Sequence, residues 1–230
     1  MRDIPLSRRR GLEEVLLKKL ECLVAQVVFL TVSTTAIAQA PKSATYITDA
    51  QVKAVNALPG VDRQIVSVDI GKLNEAVGVI HRGPTNAAAA GRGAAPANPA
   101  PAAAGQACGE QASTAPSGSV AGGISHDHQT ETYVILSGSG TLVTGGHIVN
   151  GRKSAPDSDV TKVLNGPSCS GVIAGDDVVK RVVNPGDIVI IPATVPHGWT
   201  DIADHVDYLS VRPDPDRVLP AGYVHPSLKK

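Results

Sequence analysis

The sequence predicts an all-β protein built as a single jelly-roll β-barrel with a short N-terminal helix. From Val120 onward, short segments rich in Val, Ile and Thr alternate with Gly and Pro turns, and no helical pattern separates them. This arrangement is typical of antiparallel barrels. Hydrophobic residues make up 42% of the chain but aromatic residues only 3%. The core must therefore consist of Val, Ile and Leu, and the β-branched members of this set favour strands.

The first 38 residues are predicted to be a signal peptide. Arg8, Arg9 and Arg10 precede an apolar run from Leu23 to Val32, and Ala36-Ile37-Ala38 has the small-x-small form of a cleavage site. The alternatives are a membrane anchor or a buried helix, but the apolar run is short for a bilayer. We therefore expect a periplasmic or secreted protein with no stable membrane anchor after processing.

The rest of the chain divides by composition. Residues 39–83 should carry a helix, starting at the capping box Thr48-Asp49-Ala50-Gln51, and the first barrel strands. Residues 84–118 are dominated by Ala, Gly and Pro, which predicts a mobile loop, with a domain linker as the alternative. Residues 119–213 should form the barrel core and 214–230 a C-terminal tail. Within these ranges we expect strands at 64–70, 76–81, 132–136, 141–143, 178–183, 188–191 and 206–211.

Charge and cysteine content limit the partners and the compartment. The chain has 21 basic and 21 acidic residues, and with so few aromatic side chains it offers little to nucleic acid. Cys22 would leave with the signal peptide. Cys108 and Cys169 then either form a disulfide, which an oxidising compartment permits, or remain as two unpaired thiols.

One stretch carries recognisable chemistry. His126 and His128 stand one residue apart, so on a strand they point to the same face, and Glu131 follows a tight turn. A further histidine, His197, is a candidate from a distant strand. Imidazole and carboxylate groups together suit Fe, Mn, Ni, Cu or Zn rather than Ca or Mg. The sequence therefore predicts a site for a divalent transition metal.

These residues resemble the two motifs of the cupin superfamily, written H-x-H-x(3,4)-E-x(6)-G and G-x(5)-P-x-G-x(2)-H-x(3)-N. Glu131 stands seven residues before Gly138, as the first motif requires. Gly186, Pro192 and His197 have the spacing of the second motif. The resemblance covers roughly residues 120–211 and implies a cupin-type barrel.

The chain departs from the motifs at three points, and the first leaves the ligand set open. Only two residues separate His128 from Glu131, one fewer than usual. Counted back from Glu131, His126 takes the place of the second motif histidine and Ile124 that of the first. The site is then either His126, His128, Glu131 and His197, which we favour, or the same set without His128. The other two departures are Thr194 for the second motif's glycine and Asp201 for its asparagine.

The resemblance implies a small-molecule ligand and, because cupins often pair through their barrels, a homodimer. It leaves three function classes. The leading hypothesis is a metal-dependent enzyme, a dioxygenase-like oxidoreductase acting on a small oxygenated metabolite. The second is a non-catalytic binder of a small molecule or of the metal, and the third a structural or storage barrel without metal.

Three further side chains are weighed for a role at the site. Tyr133 lies two residues after Glu131 on the same face, so it is a candidate catalytic residue, with core packing as the alternative. Trp199 is expected to pack in the core or to wall the pocket. Arg212 is expected to form a surface salt bridge, with the clamping of an anionic substrate as the alternative.

Overall fold

The structure, a computed structural model, describes residues 43–85 and 105–229. The predicted signal peptide and residues 86–104 of the predicted mobile loop lie outside the described residues. The described part consists mainly of two antiparallel sheets that share one core, so the predicted all-β jelly-roll barrel is confirmed. Among the described residues, no helix is both long and apolar enough to span a membrane.

Thirteen strands are present in the described ranges. They are β1 (Asp62–Asp69), β2 (Asn74–Arg82), β3 (Ala107–Cys108), β4 (Val120–His126), β5 (Glu131–Gly138), β6 (Gly140–Thr144), β7 (His147–Lys153), β8 (Ser168–Ala174), β9 (Val179–Val183), β10 (Ile188–Ile191), β11 (His197–Thr200), β12 (Val206–Asp214) and β13 (Tyr223–Val224). One sheet has the order β10-β5-β12-β2-β1-β13 and the other the order β3-β7-β8-β4-β11-β6-β9.

The interior between the sheets changes from apolar to polar along its length. Strand β12 shows the change, because its buried residues run from Val206 and Tyr208 to Ser210, Arg212 and Asp214. The apolar part holds a cluster drawn from both sheets. Its members are Ile80, Tyr133, Ile135, Leu142, Val183, Ile191, Trp199, Ile202, Val206 and Tyr208. Trp199 is thus a core residue, and core packing was one of the two roles expected for it.

The N-terminal helix α1 (Asp49–Asn56) covers part of the outer face of the six-stranded sheet. Its predicted capping box is confirmed: the Gln51 backbone N–H donates to the Thr48 hydroxyl, and the Thr48 backbone N–H donates to the Gln51 side chain. Val55 is fully buried and packs against Ile65 and Val79 of the sheet. The helix is therefore held by its cap and by one apolar face.

A disulfide joins Cys108 of β3 to Cys169 of β8, which resolves the choice between a disulfide and free thiols. Strand β3 also pairs with β7. Residues 107–112, in the described end of the predicted loop, are thus held against the seven-stranded sheet.

The ranges expected to form strands did not include β3, β4, β7, β8, β11 and β13. In β8 small residues hide the alternation, because Ser168, Cys169, Ser170 and Gly171 are adjacent. A side chain at Gly171 would meet the backbone of Gly151, so glycine is required where β7 and β8 approach closely.

Candidate metal centre

Three of the predicted metal ligands meet inside the barrel. His126 is the last residue of β4, Glu131 the first of β5 and His197 the first of β11. The Nε2 atom of His126 lies 3.3 Å from Glu131 Oε2, and the Nε2 atom of His197 lies 3.1 Å from the same oxygen. Each residue is no more than 3% exposed. The candidate donor atoms all lie within 4.8 Å of one another.

Hydrogen bonds on the far side of each ring fix both imidazoles. His197 Nδ1 lies 3.1 Å from the Val195 carbonyl oxygen, which can only accept, so this nitrogen carries the proton. The Ser168 hydroxyl donates to the Gly166 carbonyl and therefore accepts from His126 Nδ1 at 2.8 Å. In the neutral form of each ring, Nε2 is then left with a lone pair. Metal-ligating histidines are typically oriented by such bonds.

The result is a cluster of acceptors that needs a cation. Two Nε2 lone pairs and one carboxylate oxygen face each other in a buried space, which is unfavourable unless positive charge lies among them. Burial lowers the pKa of His126 and outweighs the opposing effect of Glu131, so this ring favours its neutral form. The separations of 3.1 and 3.3 Å also match neighbouring donors of an ion bound at about 2.0–2.2 Å. The three residues therefore fit a divalent metal ion.

Glu131 is held by donors on both oxygens. Its Oε1 accepts from Asn165 at 3.0 Å, Ser210 at 2.8 Å and Arg212 at 2.9 Å. Its Oε2 accepts from the Tyr133 hydroxyl at 2.8 Å. Burial alone would raise the pKa of Glu131, but the charge of the adjacent Arg212 guanidinium holds it well below its usual value. Glu131 is thus a fixed carboxylate anion.

Arg212 does not form the surface salt bridge that was expected from the sequence. The side chain is fully buried and joins Glu131 to Asp62, whose Oδ2 accepts from Arg212 Nη2 at 2.6 Å. Burial disfavours its charge, yet Asp62 and Glu131 raise the pKa of the guanidinium. This burial was not predicted, because the inward alternation of β12 continues past Val211 to Asp214, beyond the predicted strand end.

Tyr133 lies at the centre as predicted, and it is also part of the core. It is 1% exposed, and its ring lies 4.3 Å from that of Tyr208 and 6.2 Å from that of His197. Burial and the nearby Glu131 carboxylate raise its pKa well above the usual value. The hydroxyl therefore keeps its proton and donates a hydrogen bond to Glu131.

His128, the fourth predicted ligand, is not part of this group. Its side chain is 57% exposed, and Nδ1 lies 2.6 Å from Asp216, whose hydrogen bond raises the pKa of the ring. Strand β4 ends at His126, so the two-residue alternation that would have aligned both histidines does not extend to His128. Asp127 also faces away and binds Lys153. The three-residue alternative is the arrangement that the structure contains.

Ser210, which donates to Glu131, and three other buried polar residues were not predicted from the sequence. Ser168 and Asn165 contact His126, and both come from the connection between the motifs, where no spacing rule predicts them. Gln129 is 2% exposed, and within the described ranges neither of its amide atoms has a hydrogen-bond partner. Its position two residues before Glu131 was the one available signal, because Gln129, Glu131 and Tyr133 are alternately buried.

Comparisons with known proteins concern the fold. No family model and no curated protein matches the chain. Among solved structures, it is similar to an uncharacterized protein with a double-stranded β-helix domain from Klebsiella pneumoniae, at 15% identity over 76% of this chain and 93% of that chain, TM-score 0.36. It is also similar to a Cupin 2 conserved barrel domain protein from Salinispora arenicola, at 12% identity over 77% and 97%, TM-score 0.34. A Bacillus halodurans protein matches at 12% identity over 81% and 92%, TM-score 0.37.

Proposed function

We propose that this chain, a cupin by its barrel fold and its two motifs, binds a first-row divalent metal ion through His126, Glu131 and His197. The observation that carries the proposal is the convergence of both Nε2 atoms on Glu131 Oε2, with each Nδ1 already bonded elsewhere. Two histidines and one carboxylate with open positions are the donor set of non-haem iron(II) oxygenases. Iron is therefore the first metal to test.

We further propose that the metal-loaded protein oxidises a small oxygenated metabolite. When bound, the metal ion supplies Lewis acidity and, in the case of iron, electrons for dioxygen chemistry. The chain itself would keep the carboxylate in place through Arg212 and Ser210. Tyr133 would hold a proton beside the site, and the adjoining apolar cluster would exclude water from the reacting molecule.

Metal content tests the first proposal. The protein is purified without chelators, incubated anaerobically with Fe²⁺, freed of loose metal and analysed for elements beside His197→Ala. We expect about one equivalent in the parent and far less in the variant. His147→Ala is the matched control, because His147 is half exposed and pairs with Glu110 at the surface. Equal metal content in the parent and His197→Ala would contradict the proposal.

Oxygen uptake tests the second proposal. The iron-loaded parent is supplied with a panel of diketones, catechols and oxalate in an oxygen electrode, with His197→Ala as the blank. We expect at least one compound to accelerate uptake in the parent only. Uptake that stays at the blank rate for the whole panel, with iron bound, would count against the oxidation.

A non-catalytic metal binder is the second candidate function, and one observation favours it. Both Glu131 oxygens are already engaged by donors, and the Tyr133 hydroxyl, with its raised pKa, is a poor acid or base near neutral pH. Bound metal without oxygen uptake would support this candidate.

We also propose that the protein is exported. The Cys108–Cys169 disulfide supports this, because such bonds persist in oxidising compartments. Mass spectrometry of protein recovered from cell fractions would locate the mature N-terminus. A full-length chain in the cytoplasm would contradict export.

A further inference from the structure

We infer that Asn165 is a fourth ligand of this centre, binding the metal through its side-chain oxygen. The inference rests on the proposed metal function. It concerns a residue that lies outside both motifs, in the connection between β7 and β8. Neither the spacing of the histidines nor the resemblance points to it.

The Asn165 side chain directly contacts two of the three candidate ligands, His126 and Glu131. Its Nδ2 lies 3.2 Å from His126 Nε2, the nitrogen that faces Glu131, and 3.0 Å from Glu131 Oε1. The residue is 6% exposed. These separations are close to the 3.1 and 3.3 Å that join the two histidines to the other Glu131 oxygen, Oε2. The Asn165 amide therefore occupies the place of a fourth donor.

The chemistry of the amide allows either atom to face the site. The nitrogen faces it here because both neighbours, His126 Nε2 and Glu131 Oε1, accept hydrogen bonds. A cation among these acceptors reverses the preference, because a carbonyl oxygen binds a cation and an N–H does not. Rotation of the amide by half a turn exchanges oxygen for nitrogen with almost no change in shape.

The backbone that carries Asn165 is held by two hydrogen bonds. Asn165 follows a short π-helix (Val160–Leu164), and its own N–H donates to the Val160 carbonyl at 2.9 Å. The Leu164 carbonyl accepts from the buried Gln64 side chain of β1 at 2.9 Å. Such π-type turns are frequent at functional sites. The side chain can therefore rotate while its Cα stays in place.

The test is the rank order of Co²⁺ affinity among three proteins: the parent, Asn165→Ala and Asn165→Asp. Each is titrated with Co²⁺ at fixed pH while the d–d absorption bands are recorded. If Asn165 supplies an oxygen ligand, Asp supplies one as well. Asn165→Asp should then bind Co²⁺ at least as tightly as the parent, with similar bands. Asn165→Ala should bind at least about 10-fold more weakly and show altered bands.

A role limited to hydrogen bonding gives the opposite order. An N–H donor to Glu131 cannot be replaced by a carboxylate, which would repel Glu131 Oε1, so Asp would then bind no better than Ala. That order, or equal affinity in all three proteins, would overturn the inference. Asn184→Ala and Asn184→Asp are the matched controls, because Asn184 is exposed, and their affinities should equal the parent's.

Two further outcomes keep the test decisive. If Asn165→Ala fails to fold, as judged by circular dichroism, the comparison of parent and the nearly isosteric Asp variant decides alone: tighter or equal binding supports the ligand role, and weaker binding overturns it. If the parent itself binds no Co²⁺, the proposed metal function fails, and this inference with it. Parent binding with the wrong rank order overturns the Asn165 role only.

Discussion

At the scale of single residues, the centre depends on side chains that orient the ligands. Ser168 and the Val195 carbonyl fix the two imidazoles, while Arg212, Ser210 and Tyr133 fix the carboxylate. Each of these contacts lies on the far side of a ligand or on its edge. The donor atoms are thus oriented before any ion arrives, which reduces the free energy lost to ordering them.

Ser168→Ala should weaken metal binding without removing a ligand. His126 Nδ1 would lose its acceptor, so the ring could rotate or change tautomer, and the affinity for Co²⁺ should fall about 10- to 100-fold. Ser168→Thr should restore part of the affinity. Ser170→Ala, two residues along the same strand, is the control. Equal affinity in Ser168→Ala and Ser170→Ala would show that the bond to His126 has no role in binding.

The metal-free protein should lose stability as the pH falls below about 6.5. Burial lowers the pKa of His126 from the usual 6.5 in the folded state, so below that pH the unfolded chain binds a proton that the folded chain does not. The free energy of unfolding then decreases with decreasing pH. The Glu131 carboxyl, whose folded pKa also lies below its usual 4.5, adds a further loss at lower pH.

Urea denaturation with a chelator, between pH 7.5 and 5, measures this dependence. His126→Gln removes the group, so its free energy of unfolding should change less over this interval. An identical pH dependence in the parent and in His126→Gln would contradict the assignment of the loss to His126.

The sequence predicted the three candidate metal ligands better than it predicted the residues that orient them. Glu131 and His197 are identified by motif spacing, and His126 by either alignment. His128 was misplaced because the end of β4 cannot be read from two histidines and a turn. Arg212 and Asn165 reach the centre from segments far away in sequence, and a single sequence contains no local pattern that would bring them together.

At the scale of elements, the turn from β5 to β6 shows how a glycine can fix a connection between the two sheets. Gly138 has a φ of +70°, and a Cβ there would collide with the carbonyl oxygen of His205. The motif glycine is therefore required by backbone conformation and by the neighbouring loop, quite apart from any metal.

The expected strands agree with the structure where side chains alternate, as in β5 and β10, and were missed where small residues hide the pattern, as in β8.

Gly138→Ala should destabilise the protein by about 1–3 kcal/mol, because a side chain is strained at this φ and has no room. Gly83→Ala is the matched control: Gly83 lies in open space and has no positive φ, so its substitution should have little effect. Urea denaturation of both variants measures the difference. Equal stability of the two would contradict this account of the turn.

At the scale of the whole molecule, the barrel interior is divided into an apolar part and a polar part. The centre lies where they meet, since Tyr133 belongs to the apolar cluster and also donates to Glu131. The composition predicted a core of Val, Ile and Leu, but Tyr133, Trp199 and Tyr208 also belong to it. The motifs predicted a polar site. How the two share one interior depends on strand order, which only the structure supplies.

The disulfide should stabilise the folded molecule as a whole against unfolding. It closes a loop of 61 residues, so replacing Cys108 and Cys169 with serine should lower the free energy of unfolding by up to about 4 kcal/mol. Denaturation of the parent and the double variant measures the loss. Peptide mapping of the parent without reductant should recover the linked peptides, and two free thiols in that map would contradict the bond.

We propose that His126, Glu131 and His197 bind one metal ion. Anomalous X-ray diffraction from crystals grown with Co²⁺, recorded above and below the cobalt absorption edge, would locate that ion. We expect a single strong anomalous peak at about 2.0–2.2 Å from His126 Nε2, His197 Nε2 and a Glu131 oxygen. A map with no peak between these atoms, or with cobalt bound only at surface histidines such as His147, would contradict it.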